Sequence, residues 1–341
     1  MPIARRDLIR CGWTAALLLS LAATSAAVAA DGKSYVMKIS LATVNDPLHE
    51  FAKDYAAAVE KDSGGRIKTE IYPASQLGST QRQAEGVQFG EIQCLIVPPE
   101  FLAGIDERFE VLAAPDLVDS LSDGQRLVAD PSVRSLMLGL GADKGLHGVA
   151  LLLIGQSSVV SRKPLRRLAD FKGKKIRVFA SQFQTLAVER LGATPKPMTL
   201  ADVPPALQDN AIDGALSSVT VFATMRYWEV AKYVTEIGQP ALFGVGEVSK
   251  KWYDTLPADL QQVVDKDAAA AAAAVAPWTV DFNAKARKTW TAAGGELIDL
   301  PPDDQTALRA TLASVGADAS KSKPALNAAY QIVKEAAQRL H

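Results

Sequence analysis

The chain has 341 residues, with 37 basic and 38 acidic side chains, 48% hydrophobic residues and two cysteines. So even a charge balance excludes a protein that grips nucleic acid or an anionic membrane surface by net charge. Two cysteines in a chain this long exclude a disulfide scaffold, so large buried cores must hold the fold.

The first thirty residues read as a cleaved secretory signal. Arg5, Arg6 and Arg10 form a basic start, "WTAALLLSLAATSAA" is an apolar run too short for a membrane span, and "AVAA" supplies small residues before Asp31. "RRDLIR" resembles a twin-arginine export signal with poorly matching Leu8 and Ile9, so the Sec and twin-arginine routes both stay open. Cys11 precedes the apolar run and no lipobox cysteine follows it, which predicts a free, soluble mature protein. Removing Arg5, Arg6, Arg10 and Asp7 with the signal leaves 34 basic and 37 acidic side chains on 311 residues, a formal charge of −3. Only Cys94 remains, so no internal disulfide is expected despite the oxidising compartment. That length predicts one two-lobed unit or two domains.

"YVMKISLAT" (35–43) alternates as a strand. Residues 45–65 then predict a helix capped by Asn45 or Asp46 with Pro47 in its first position. Leu48, Phe51, Ala52, Tyr55, Ala56 and Val59 share one helical face, and Gly64–Gly65 supply the left-handed stop. A strand (66–72), a helix (79–89) and an apolar strand (92–97) complete a β-α-β-α-β series, the pattern of a parallel sheet covered by helices. The pattern restarts with strands over 147–154, 159–163 and 174–179, a helix over 182–192, a helix over 199–210 and a strand over 211–217. After "ALFGVGEVS" (241–249) a helical region runs from about Pro257 to Trp290. It contains seven consecutive alanines, Ala268–Ala274, and Pro277 should kink it. The amphipathic flanks of the alanine run predict that it packs against the fold rather than serving as filler. Two helices, near 303–314 and 324–340, close the chain. The halves share no internal repeat.

Enzyme motifs fail on context. "GLGADKG" (139–145) has one spacer too many for a dinucleotide fingerprint and follows a helical segment instead of a strand. "GQSSV" (155–159) resembles a serine-hydrolase elbow but ends in Val159 where glycine belongs. Using Ser157 or Ser158 as a nucleophile would require His49 or His147 within hydrogen-bond reach. The three histidines have no metal-ligand spacing and one cysteine cannot build a zinc site, so neither catalysis, a metal nor a cofactor is predicted.

"KGKKIRVF" (172–179) is different. Arg177 lies between Ile176 and Val178 in a buried strand, so it points away from both. A buried guanidinium demands a partner, and its planar fork accepts a carboxylate through two parallel hydrogen bonds. That carboxylate belongs either to the protein or to a ligand; the chemistry of the strand leaves both open.

Ordered segments along the chain supply more. "SGGRIKTEIYPASQLGS" carries a glycine turn, a strand and a P-A-x-Q-L-G loop. "DFKGKKIRVF" followed by "LGATPKPMTLADVPPALQDNAIDGALS" carries a KG-x-K-x-R-V … GA-x-P-x-P-M … ALQ … DG pattern. "YWEVAKYV" (227–234) and "PADLQQVV" (257–264) come later. In this order and spacing the chain resembles the substrate-binding subunit of TRAP (tripartite ATP-independent periplasmic) transporters, the DctP-type family.

The resemblance implies an α/β, two-lobed periplasmic binding protein of type II-like architecture, with hinge strands and a long kinked helix bracing both lobes. Lobe one is expected over 31–154 plus 243–282 and lobe two over 155–242 plus 283–341. The resemblance implies capture of a small organic acid and delivery to TRAP membrane subunits, with Arg177 pairing the ligand carboxylate. A monomer is expected, with no nucleic-acid partner. Family members often carry a second arginine where this chain has Ser157, an asparagine where it has Ser217, and, in sialic-acid binders, an aromatic residue where it has Leu200. These departures point to fewer charged contacts, hence a monocarboxylate or a more apolar acid. Asn45, Gln156, Ser157, Phe179, Leu200, Ser217, Ser218 and Phe222 join Arg177 as candidate pocket residues. Asn45 could equally be a helix cap, and Phe222 core. A sensory co-receptor would use the same closure, and the sequence does not separate it from a transport protein.

Overall fold

The computed structural model describes residues 33–115 and 117–340. The signal-peptide reading of residues 1–30 lies outside them. β1 (Tyr35–Leu41) leads into α1 (Pro47–Asp62), whose predicted apolar face is buried throughout. Asp46 is the cap: its Oδ1 accepts the His49 amide at 3.0 Å and the Thr43 hydroxyl at 2.8 Å. Pro47 takes the first position, where its missing N–H costs nothing. β2 (Ile67–Tyr72), α2 (Thr80–Phe89) and β3 (Cys94–Val97) follow, and β1 runs parallel to both β2 and β3. The first β-α-β-α-β series therefore forms as its periodicity predicts.

After short helical turns at Pro99–Leu102 and Glu107–Ala113 come α3 (Leu121–Ala129) and α4 (Pro131–Gly139). β4 (Leu146–Ser161) joins into one 16-residue strand the two pieces that the sequence separates at "GQSS". Pairing with another strand keeps these residues extended, and Gly155 is needed there for space: a Cβ would lie 2.8 Å from Asn283 Oδ1. Next come β5 (Lys175–Val178), α5 (Gln182–Arg190), β6 (Thr194–Pro197), α6 (Val203–Gln208), β7 (Gly214–Ser217) and α7 (Val219–Thr224). The sequence does not reveal β6, "TPKP", because its prolines argue against a strand. It sits at the sheet edge, where prolines are tolerated.

β8 (Tyr233–Ser249) is a second long strand, followed by α8 (Lys250–Tyr253), α9 (Ala258–Ala292), β9 (Glu296–Asp299), α10 (Pro302–Leu312), α11 (Val315–Ser320) and α12 (Pro324–Gln338). The strand order is β2-β1-β3-β8-β4-β7-β5-β6, with β9 pairing β8. β4 and β8 run antiparallel from Leu146↔Ser249 to Ser161↔Tyr233. One end of β8 pairs with β3, and the other end of β4 pairs with β7. Both strands therefore pass from one α/β half into the other. Their register shifts between Gly148 and Ala150, Leu153 and Gly155, and Gln156 and Ser158, and such irregularities bend a strand pair.

α9 is helical over all 35 residues, with Pro277 inside it. Proline removes one helical hydrogen bond, and the packing of the flanking turns holds the element together. Leu260, Val264, Ala268, Ala271 and Val275 pack with α1 and β1 in one core. Ala286 and Trp290 pack with Phe222 and Tyr227 in another. One helix thus braces both halves, as a two-lobed α/β binding-protein fold requires. Among the described residues no helix is long and apolar enough to cross a membrane.

Candidate functional site

Arg177 is 1% exposed on β5, between β6 and β7, with Ile176 and Val178 in the apolar core. Its Nε donates to the Met198 carbonyl at 3.0 Å and its Nη1 to the Leu216 carbonyl at 2.9 Å. The guanidinium carbon sits 4.5 Å from the centre of the Phe179 ring. These contacts fix the fork without neutralising it. Among the described residues no carboxylate lies within 4.0 Å of it. Burial pulls the guanidinium down to about 10, against the opposing pull of Tyr227, Glu100 and Asp202, so it stays charged at neutral pH.

Glu100 is 2% exposed, and its Oε2 has no hydrogen-bond partner. Burial pushes it up to about 8, and the attraction of Arg177 is too weak to reverse this. It is therefore mostly neutral at pH 7 and leaves the arginine's charge uncompensated. Asp46, also fully buried, is raised by burial to about 6 despite the hydrogen bonds it accepts.

The arginine lines a cavity of about 40 Å³. Ala42, Thr43 and Asp46 come from the segment joining β1 to α1, and Ile96, Val97, Pro98 and Phe101 from the end of β3 and the turn beyond. Arg177, Phe179, Leu200, Ser217 and Val221 come from the second half, while Ile154 and Leu242 come from β4 and β8. Both halves and both crossing strands thus contribute. The walls are apolar except at Thr43, Asp46, Thr80, Arg177 and Ser217. The lining thus sets one buried guanidinium among mostly apolar walls.

Of the candidates from sequence, Arg177, Phe179, Leu200 and Ser217 line this cavity together. The others sit elsewhere. Asn45 is exposed in a left-handed conformation (φ 53°), its amide donating to His49 Nδ1 at 2.9 Å. Gln156 and Ser157 line a separate polar pocket of about 210 Å³. There the Ser157 hydroxyl donates to the Pro240 carbonyl, and Gln156 Nε2 to the Asp119 carbonyl at 3.2 Å. Ser218 caps α7 and shares a 2.6 Å hydrogen bond with Thr220. Phe222 is fully buried against Tyr227 and Trp290.

Sequence reasoning passed over Asp46 as more than a cap and missed Glu100. Asp46 left a signal in the cap pattern; "PPEF" around Glu100 left none. The hydrolase alternative finds no support. His147 Nε2 pairs with Asp265 at 2.7 Å, His49 accepts the Asn45 amide, and among the described residues neither Ser157 nor Ser158 bonds to a histidine.

Comparison with known proteins gives a consistent answer. Residues 40–322 match the family model described as "Bacterial extracellular solute-binding protein, family 7". The chain is 28% identical over 253 residues to the C4-dicarboxylate-binding periplasmic protein DctP of Rhodobacter capsulatus, covering 74% of this chain and 75% of that one. It superposes with a TM-score of 0.85 on the sugar acid binding protein DctPAm of Advenella mimigardefordensis in complex with galactonate, at 23% identity, covering 91% of this chain and 100% of that one. A TRAP periplasmic solute-binding protein of Desulfovibrio salexigens with bound orotic acid gives 0.84 at 22% identity, over 90% and 100% of the two chains. The family is one of binding proteins, not enzymes, and this chain belongs to it: it is a bacterial extracellular solute-binding protein of family 7, the DctP family.

Proposed function

We propose that the protein captures a small organic acid in the periplasm, by its carboxylate, and delivers it to the membrane subunits of a TRAP transporter. The observation that carries this reading is the buried Arg177, charged at pH 7, lining a cavity and without a carboxylate of its own within 4.0 Å among the described residues. Relatives named for C4-dicarboxylates and 2,3-diketo-L-gulonate, and solved structures holding galactonate or orotic acid, support a carboxylate as the ligand class. The mostly apolar walls and, among the described residues, the single lining cation favour a compact monocarboxylate over a highly hydroxylated or doubly charged acid.

In this reading lobe one spans 31–154 plus 243–282 and lobe two 155–242 plus 283–341. The site is Arg177, Phe179, Leu200 and Ser217 on one wall and the Ala42–Asp46 segment with Phe101 on the other. Closure bends β4 and β8 at their register shifts and is driven by the ligand's better affinity for the closed state. The chain reaches the periplasm by a cleaved signal and works there as a monomer. A thermal-shift screen of mono- and dicarboxylates, keto acids and aromatic acids tests the function, because a saturating ligand raises the melting temperature. At least one monocarboxylate should give a shift of several degrees; silence across the panel would refute the reading.

A further inference from the structure

A second cavity, of about 490 Å³ and open to solvent on one side, where Ala269 and Ala273 are exposed, shares no lining residue with the Arg177 cavity. Its size falls within the range of about 300–1,000 Å³ typical of small-molecule sites. Leu151, Leu152 and Leu153 of β4 line it, with Val128 and Ala129 of α3. α3 reaches the strand closely because residue 124 is glycine: a Cβ there would lie 2.7 Å from Leu153 Cδ1. The remaining wall is α9, through Ala269, Ala272, Ala273 and Ala276 among others. These four stand at i, i+3, i+4 and i+7 and so share one helical face. Larger side chains there would fill the space, so alanine at these four positions keeps the cavity open.

Among the described residues one lining residue is charged. Arg134 of α4 has no carboxylate within 4.0 Å among the described residues, whereas nearby arginines are neutralised: Arg126 pairs with Asp123 at 2.5 Å, and Arg339 with Asp130 at 2.8 Å. Gln125 spends its amide donor on the Ala276 carbonyl at 3.0 Å, which ties α3 to α9 across the cavity. An apolar cavity with one uncompensated guanidinium complements an apolar molecule with one negative end. A neutral hydrocarbon would leave Arg134 unused, and a dicarboxylate would put its second charge against leucine and alanine.

We infer that this cavity is a second ligand site, taking an amphipathic monocarboxylate with its head on Arg134 and its unbranched alkyl chain along the alanine face of α9. The inference is independent of the Arg177 site. The probe is octanoate, titrated by calorimetry into the full-length mature Arg177→Met protein so that the first cavity cannot supply the anchor. One octanoate should bind per chain. Adding Arg134→Gln should weaken binding about tenfold or more, the loss expected for a charge-assisted hydrogen bond. Ala273→Trp, which fills the cavity from an exposed helical position, should do the same, and octanamide should bind about tenfold more weakly than octanoate. Absence of octanoate binding to the Arg177→Met protein would overturn the inference. So would unchanged affinity in either further variant, each first checked for a native melting temperature.

Discussion

The Arg177 cavity and the polar pocket around Gln156 and Ser157 differ in how their charges are met. In the polar pocket each arginine has its acid: Arg287 pairs with Glu236, and Arg309 with Asp119 at 3.2 Å. Ser157 and Gln156 are likewise committed, to the Pro240 and Asp119 carbonyls. Arg177 has two carbonyls and an aromatic face but, among the described residues, no carboxylate within 4.0 Å. Charge and polarity alone therefore do not separate the two regions. In the function proposed above, the mark of the site is a buried charge whose counter-charge the protein withholds, because burying it is costly until a ligand completes the pair.

Removing that charge should have the largest effect. Arg177→Met should abolish the rise in melting temperature given by a compact monocarboxylate with no long alkyl chain, and a variant still stabilised by that acid would erase the distinction between the two regions.

Glu100 sharpens the comparison through pH. It is raised from 4.5 to about 8, chiefly by burial; Arg177 attracts its ionised form, and Glu110 is the neighbouring like charge. An ionised Glu100 competes with the ligand for Arg177, so affinity should fall roughly three- to tenfold between pH 7 and pH 9.5, and Glu100→Gln should remove that fall. Stability moves with it. A raised carboxyl pKa contributes stability that is fully present below about 4.5 and lost as pH rises through about 8. Wild type should therefore lose stability relative to Glu100→Gln across that window, and parallel pH profiles for the two proteins would contradict the assignment.

Smaller effects belong to the polar pocket. Ser157→Ala should cost about 1 kcal/mol of stability, read by urea unfolding, through the lost bond to Pro240, and leave ligand affinity unchanged. A large affinity loss there would move the ligand toward Ser157. Arg309→Ala should change stability by less than about 1 kcal/mol, because both partners are about half exposed and water screens the pair.

Much of the fold was legible because its signals are local. The buried face of α1 follows from spacing, its start from Asp46 and Pro47, and the first parallel series from alternation. What escaped depends on distant partners. β4 looks broken at "GQSS" until β8 holds it extended, and β6 looks impossible until its prolines are seen at a sheet edge. The site divides in the same way. Arg177 stood out as a charge out of place in an apolar strand, and family position added Phe179, Leu200 and Ser217, which line its cavity. Glu100 carried no local signal, since its shifted ionisation arises from burial by residues far away in sequence. Gln156, Ser157, Ser218 and Phe222 shared family position too, and Asn45 was a candidate from its place on the loop after the first strand, but local hydrogen bonds, a cap and core packing engage them away from that cavity.

Arg177→Lys tests the central claim most directly, because it keeps the charge and removes the fork. Calorimetric titration of wild type and variant, with the acid that gives the largest thermal shift, should show affinity lower by about 100-fold or more in the lysine protein, since a point charge cannot make two parallel bonds. Equal affinity in the two proteins would contradict the account and place the ligand's anchor elsewhere.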